Sequence, residues 1–262
     1  MNNVKKTLYI PLYGKCYVSR RGLFLKDVLA ETVWERAEFP LKRRSRSKWL
    51  AYYLGIRAAV FDDWLRERLR EDTDTMVLHL GCGLDNRIGR VGFEGNLWYD
   101  VDLPDVIDER KKHYVESSDY RMLGADLREA GWLSELPRGK RVAVVMEGIG
   151  MYLSSDALKG LFAALEERFE QVFLLIDCYS PFAARMSKIK NPIKEVGVSR
   201  VYGVDDPRLL EAGGLIFSRS LDMSPSSYID ELEGMERRIF SALYAGKTSK
   251  RLYRLYEFKS TR

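Results

Sequence analysis

The segment from Met76 to Asp102, MVLHLGCGLDNRIGRVGFEGNLWYDVD, leaves few folds open: a short apolar run enters a glycine turn, and a second strand-like run ends in acid. Met76 to Leu80 fits a strand covered on both faces. Gly81 and Gly83 let the chain turn tightly and bring its backbone against a ligand, where a Cβ would obstruct. About twenty residues on, Leu97 to Val101 reads as the next strand, with Asp100 and Asp102 near its C-terminal end, where a carboxylate accepts hydrogen bonds from ribose hydroxyls. Asn86 stands where the dinucleotide fingerprint G-x-G-x-x-G needs its third glycine. That weighs against NAD or FAD and favours a smaller nucleoside ligand.

Further strands are predicted over Tyr120 to Ala125, Arg141 to Met146, Val172 to Ile176, Leu215 to Leu221 and Leu252 to Phe258. Helical spacing links Leu50, Tyr53, Leu54, Phe61, Trp64, Leu65 and Leu69 between Trp49 and Arg70, and Leu158, Leu161, Phe162 and Leu165 between Ser155 and Phe169. Strands alternating with helices imply a doubly wound, mostly parallel, Rossmann-like sheet of seven strands, whose ligand sits beyond the C-terminal strand ends. Residues 1–72 form an N-terminal helical layer or lid and 73–262 the core, with the polar stretch 180–207 placed to cover a substrate. Acids recur where the strands end: Asp100 and Asp102, Asp126, Glu147 and Asp177. Each alone could cap a helix, but capping explains all of them together less well.

Arg57 falls on the apolar stripe of its helix. A guanidinium on a buried face needs an anionic partner, and if that partner is a ligand, leucine in its place should be tolerated by the ligand-free protein. Residues 1–72 carry 16 Lys and Arg against 9 Asp and Glu, so the basic excess of this chain, net +5, belongs to that layer. Its densest run, Lys42 to Lys48, has no interleaved aromatic residue, and nucleic-acid binding is not expected from it. No apolar run is long enough to span a bilayer and the start lacks the apolar core of a signal peptide, so a soluble cytoplasmic protein without a membrane partner is expected. Cys16, Cys82 and Cys178 show no CxxC pair, and with His79 and His113 the only histidines, neither a metal centre nor a hydrolytic triad is expected.

The blocks IPLYGKCYVSR, LHLGCGLDNR, WYDVDLPDVIDERKKHY, GADL, EGIGMYL and SPFAARMSK, in this order, resemble the S-adenosylmethionine-dependent methyltransferases grouped with leucine carboxyl methyltransferase. The likeness is nearest to the bacterial branch that includes the tetracenomycin polyketide O-methyltransferase, and it runs from about Thr7 to Asp206. It implies a class I methyltransferase fold with S-adenosyl-L-methionine as cofactor and a small-molecule carboxylate or phenolic hydroxyl as methyl acceptor. Under that resemblance Gly81 and Gly83 pass beneath the methionine part, Asp102 and possibly Asp100 hold the ribose, and Asp126 and Leu127 meet the adenine. Glu147 lines the site below the sulfonium, and Lys15 and Arg57 reach the cofactor carboxylate. An ionised carboxylate acceptor needs no general base. A phenol does, and Asp177 and Tyr179 are the nominees, with Tyr152 a further residue able to orient a substrate oxygen. The alternative reading of the same residues is a non-catalytic nucleoside- or RNA-binding regulatory protein.

Overall fold

Buried parallel strands are short apolar runs because both of their faces meet helices, and in the computed structural model of the chain these runs assemble into one sheet. The structure describes residues 4–37, 39–41, 43–93, 95–190 and 201–262. The chain opens with helices α1 (Val4–Arg20), α2 (Val28–Ala37) and α3 (Lys48–Glu71). There follow β1 (Met76–Leu80), α4 (Arg87–Val91), β2 (Trp98–Asp102), α5 (Pro104–Arg110), β3 (Tyr120–Gly124), β4 (Arg141–Met146), α6 (Ser155–Arg168), β5 (Gln171–Tyr179) and α7 (Pro181–Lys190). The last elements are β6 (Leu215–Leu221), α8 (Ser226–Ile229), α9 (Gly234–Phe240), α10 (Lys247–Leu252) and β7 (Tyr253–Ser260).

The seven strands lie in the order β3-β2-β1-β4-β5-β7-β6. β1 to β5 are parallel, and β7 enters antiparallel between β5 and β6. From β1 the chain steps outward through β2 and β3, then returns to β4 on the other side. The order therefore reverses between β1 and β4, which opens a crevice above their C-terminal ends.

Alternate residues of each strand feed alternate faces. Val77, Val145, Leu175 and Leu255 pack with Tyr52, Ile56, Phe61 and Trp64 under α3. Leu78, Val144, Leu174 and Phe258 pack with Leu158, Phe162 and Leu165 of α6. Each such side chain contributes roughly 1.5–3 kcal/mol through its removal from water. α6 begins where the Ser154 hydroxyl accepts the Ala157 amide, an N-cap that supplies one of the partners the first helical turn lacks.

Two boundaries differ from expectation in ways that matter. β5 runs on to Tyr179, so Asp177 lies inside the strand, opposite Leu255 of β7, and does not close it. The antiparallel partner supplies the hydrogen bonds that extend the strand. The stretch 180–207 is helical over Pro181–Lys190, where it was expected to be irregular, and its residues 191–200 lie outside the described ones. Among the described residues no helix is long and apolar enough to cross a membrane.

Candidate active site

The glycine turn after β1 and the loop after β4 meet above the switch point. Gly81 has φ +70°, and a Cβ built on it would lie 2.3 Å from Ile149 Cγ2, so only glycine lets the two loops touch. Gly148, at φ +76°, similarly leaves room for the Arg57 guanidinium, whose Nη2 would be 3.2 Å from a Cβ there. Around these turns lies a cavity of about 850 Å³. That is ample for a nucleotide-sized ligand together with a second small molecule.

One part of the cavity is charged: Lys15 from α1, Arg57 from α3, Asp85, Asp102 and Glu147 all line it. Glu147 Oε1 lies 3.0 Å from Arg57 Nε and 3.7 Å from Lys15 Nζ, while its other oxygen binds Arg87. Asp85 meets Lys15 at 3.3 Å, Arg87 at 3.0 Å and Arg90 at 2.6 Å. Asp62 and Asp27 complete the cage, Asp62 at 2.6 Å from both Arg87 and Arg90, and Asp27 at 2.7 Å from Arg90. Every cation of the cage thus touches at least two carboxylates, which offsets the cost of burying charge. Burial alone would raise the Glu147 carboxyl, yet Lys15, Arg57 and Arg87 together hold it down at about 2. Asn86 donates to Asp27 at 3.1 Å, a use for its amide that links the glycine turn to the helical layer.

Arg57 has the anionic partner that its place on an apolar stripe demands, but the partner is protein: Glu147 on one side and Asp177, 3.3 Å from Nη1, on the other. The condition under which leucine would be tolerated, a ligand as the sole partner, is therefore not met.

The two acids of β2 separate. Asp102 lines the cavity and accepts the amides of Gly83 and Leu103, each at 2.8 Å; burial outweighs those bonds and lifts its carboxyl to about 6. Asp100 does not reach the cavity. It is fully buried and accepts from Trp98 Nε1 at 2.9 Å, Tyr120 Oη at 2.6 Å, Arg110 and His79 Nδ1, 3.1 Å away. Despite burial, Arg110, His79 and Tyr120 bring it to about 2, so it is ionised, and an ionised carboxylate only accepts, which puts the proton of neutral His79 on Nδ1. The two acids share a strand face, but two residues along a strand is about 6.6 Å, enough to pass from interior to cavity edge. Asp100 therefore supports the turn from behind and does not meet a ribose in the cavity.

Asp126 and Leu127 follow β3, whose last residue pairs with Asp102, but neither lines the cavity. Asp126 accepts the Arg128 amide at 3.0 Å and the Arg128 guanidinium at 2.8 Å.

The other part of the cavity is apolar and rich in tyrosine. Tyr53, Met151, Tyr152, Tyr179, Leu243, Tyr244, Leu252 and Tyr253 line it. Tyr53 stacks on Tyr244 with centroids 5.0 Å apart, and Tyr179 meets Tyr253 edge-on at 4.8 Å. Asp177, fully buried, is not on the wall; it accepts the Tyr253 hydroxyl at 2.5 Å and the Gly148 amide at 2.8 Å. None of the described residues of 180–207 lines the cavity, whereas residues 242–244, 246, 247, 249, 252 and 253 do. Sequence reasoning missed Asp85, Arg87 and Arg90, although D-x-R-x-x-R directly after a glycine turn was a visible signal. It also missed Tyr253, for which the pattern offered none.

Of proteins with sequences similar to this one, Tetracenomycin polyketide synthesis O-methyltransferase of Streptomyces glaucescens is 29% identical over 241 residues, covering 90% of this chain and 89% of its own length. An S-adenosyl-L-methionine-dependent methyltransferase of Gibberella zeae is 28% identical over 183 residues, covering 64% of this chain and 61% of its own. Among solved structures, magnesium protoporphyrin IX methyltransferase from Synechocystis with bound S-adenosylhomocysteine superposes with a TM-score of 0.52 at 13% identity, over 88% of this chain and 94% of that one. N-methyltransferase NodS from Bradyrhizobium japonicum gives 0.52 at 11% identity, over 80% and 88%. At such identities the likeness is one of fold, that of the class I methyltransferases. The model of the leucine carboxyl methyltransferase family matches residues 12–166, more than half of the sequence, so the chain belongs to that family and is an S-adenosylmethionine-dependent methyltransferase.

Proposed function

We propose that the protein transfers the methyl group of S-adenosylmethionine to an oxygen of a small molecule, a carboxylate or an aromatic hydroxyl. The observation that carries this reading is the single cavity that joins a charged part at the glycine turn to an apolar, tyrosine-lined part. A zwitterionic amino-acid group beside a sulfonium suits the first, where Lys15 and Arg57 offer donors to a carboxylate and Glu147 offers negative charge. Asp102, on the cavity wall, would accept from ribose hydroxyls. Asp126 and Leu127 would meet adenine at the edge of β3 only after Arg128 swings away. The second part suits a planar, largely apolar acceptor, and Lys247 and Ser249 on its wall leave both acceptor types admissible. The similarity to an O-methyltransferase of polyketide synthesis supports a small-molecule acceptor. In the basic run, Lys48 is taken up by Glu236 at 2.8 Å and Arg46 lies over the Tyr13 ring, uses within the fold that favour a structural reading over nucleic-acid contact.

The bound cofactor supplies an electrophilic methyl group, and in-line displacement asks the protein chiefly to hold acceptor oxygen and methyl at near-attack distance. In this reading the helical layer of residues 4–71 and the segment 242–253 share that task, since both contribute wall. Titration calorimetry tests it. S-adenosylhomocysteine should bind more tightly than NAD, and Asp126→Ala should weaken it by about 1–3 kcal/mol with the fold intact. Tighter binding of NAD would refute the assignment of the charged part.

The Asp102 carboxyl adds a pH dependence. Ribose hydroxyls donate to the ionised form, which exists above about 6. Affinity for S-adenosylhomocysteine should therefore be full near pH 7.5 and fall about tenfold by one unit below that pKa. Asp102→Asn should flatten the profile, and a native profile already flat across this range would exclude Asp102 from the ribose site.

A further inference from the structure

Resting on the cofactor and acceptor placement just proposed, we infer that Lys247 binds a second anionic group of the methyl acceptor, a carboxylate at the end far from the oxygen that is methylated. The acceptor class is thereby narrowed to extended, planar acids with charge at their outer end.

Charge is unevenly shared between the two parts of the cavity. Its acids, Asp85, Asp102 and Glu147, all belong to the charged part, where Asp85 meets Lys15 and Glu147 meets Arg57. Among the described residues the tyrosine-lined part carries one charged side chain of its own, Lys247, with Ser249 on the same wall. Other lysines of the surrounding helices have acids: Lys250 is taken by Asp222 and Lys48 by Glu236. Lys247 is exposed, and among the described residues no carboxylate pairs with it. A lysine left to water on an otherwise apolar wall discriminates between acceptors. A neutral acceptor packed over it strips water from the ammonium and returns nothing, whereas one that carries a carboxylate there gives back a charge-assisted bond. The Ser249 hydroxyl is a second donor for the same anion.

The position of the lysine also sets the length of the acceptor. Helix α10 carries the chain from Lys247 to Tyr253, a rise of roughly 9 Å. At the far end of that rise the Tyr253 hydroxyl accepts from Arg57 Nη1 at 3.0 Å, beside the Glu147 carboxylate proposed for the sulfonium. An acceptor whose reacting oxygen lies at this inner end reaches the lysine when its body is about two six-membered rings long, laid in line along the helix. The tyrosine and leucine side chains between the two ends suit the flat faces of such a body. Lys247 takes no part in bond making. It fixes which acceptor enters and how its reacting oxygen is presented.

The test uses the full chain saturated with S-adenosylhomocysteine, with biphenyl-4,4′-dicarboxylate and biphenyl-4-carboxylate as paired probes read by calorimetry. The two share a body and an inner carboxylate and differ only at the far end. The native protein should bind the dicarboxylate about five- to tenfold more tightly at low salt, the worth of a charge-assisted bond at an exposed rim, and the preference should fall as salt rises. Lys247→Gln should abolish the preference while affinities for the monocarboxylate and for S-adenosylhomocysteine stay within about twofold of native, and Lys247→Arg should keep most of it. Lys250→Gln, which removes a lysine already paired with Asp222, should leave the preference as in the native protein. No preference in the native protein, a preference that survives Lys247→Gln, an equal loss in Lys250→Gln, or exclusion of both probes from a chain that binds S-adenosylhomocysteine overturns the anchor alone. Competition by inorganic phosphate at the probe's own concentration would mean that the lysine takes loose anions, and overturns it too. Failure of S-adenosylhomocysteine to bind overturns the cofactor placement and the anchor with it.

Discussion

Arg57→Leu is expected to remove about 3–5 kcal/mol of stability from the ligand-free protein, because it leaves two buried carboxylates, Glu147 and Asp177, with a partner missing. For a chain of this size that is a fall in Tm of roughly 10 °C. The direction is opposite to what the apolar stripe alone suggests, since the guanidinium is already neutralised by protein groups. Calorimetric unfolding without ligand decides the point: an unchanged or higher Tm would mean that these contacts contribute nothing. The loss should shrink in mild acid. With Arg57 in place Asp177 already titrates at about 6, above its unfolded value, and without that cation it titrates higher still, so protonation relieves one of the two stranded charges as pH falls into the mildly acid range.

Asp100→Ala should be still more damaging, at least about 4 kcal/mol, since it strands the buried Arg110 guanidinium and deprives Trp98, Tyr120 and His79 of their acceptor. Arg110 also donates to the Gly83 carbonyl at 3.0 Å, so the glycine turn should loosen with it. Asp102→Ala makes the contrast. Its carboxyl has a raised folded pKa, and removing it should leave stability near neutral pH unchanged or slightly higher while S-adenosylhomocysteine binding weakens. Denaturant unfolding of the two variants side by side reads the difference. Equal stability losses would show that Asp102 supports the fold as Asp100 does.

That contrast marks how far the sequence could be read. The parallel strands were legible because buried parallel strands must be apolar runs, and Gly81 and Gly83 because few other contexts put two glycines directly after such a run. Asp100 and Asp102 looked alike because spacing reports a shared face and not depth. Helix α1 was not delimited: Pro11 inside it removes a backbone donor and argues locally against a helix, while packing on α2 and α3 holds the helix together. Tyr253 was hidden for another reason. β7 buries both faces, and the alternation of Leu252, Arg254, Tyr256 and Phe258 in the sequence marks only one of them, while Tyr253, Leu255 and Glu257 fill the other. The ionic cage escaped because its members come from α1, α3, α4 and the strand ends, and pairing across such distances leaves no local pattern.

The insertion of β7 between β5 and β6 bears on how the molecule is made. Residues 8–15 and 242–253 close the same cavity, so one wall emerges among the first residues of the chain and another only after all the other strands. Until β7 arrives, β5 presents a long apolar edge with unpaired backbone groups, a template for association with other chains. Such non-local pairing is slow to form. A chain halted before Tyr253 would thus keep its glycine turn and five parallel strands yet lack a finished pocket, and its fate would be set by aggregation and proteolysis more than by any residual catalysis.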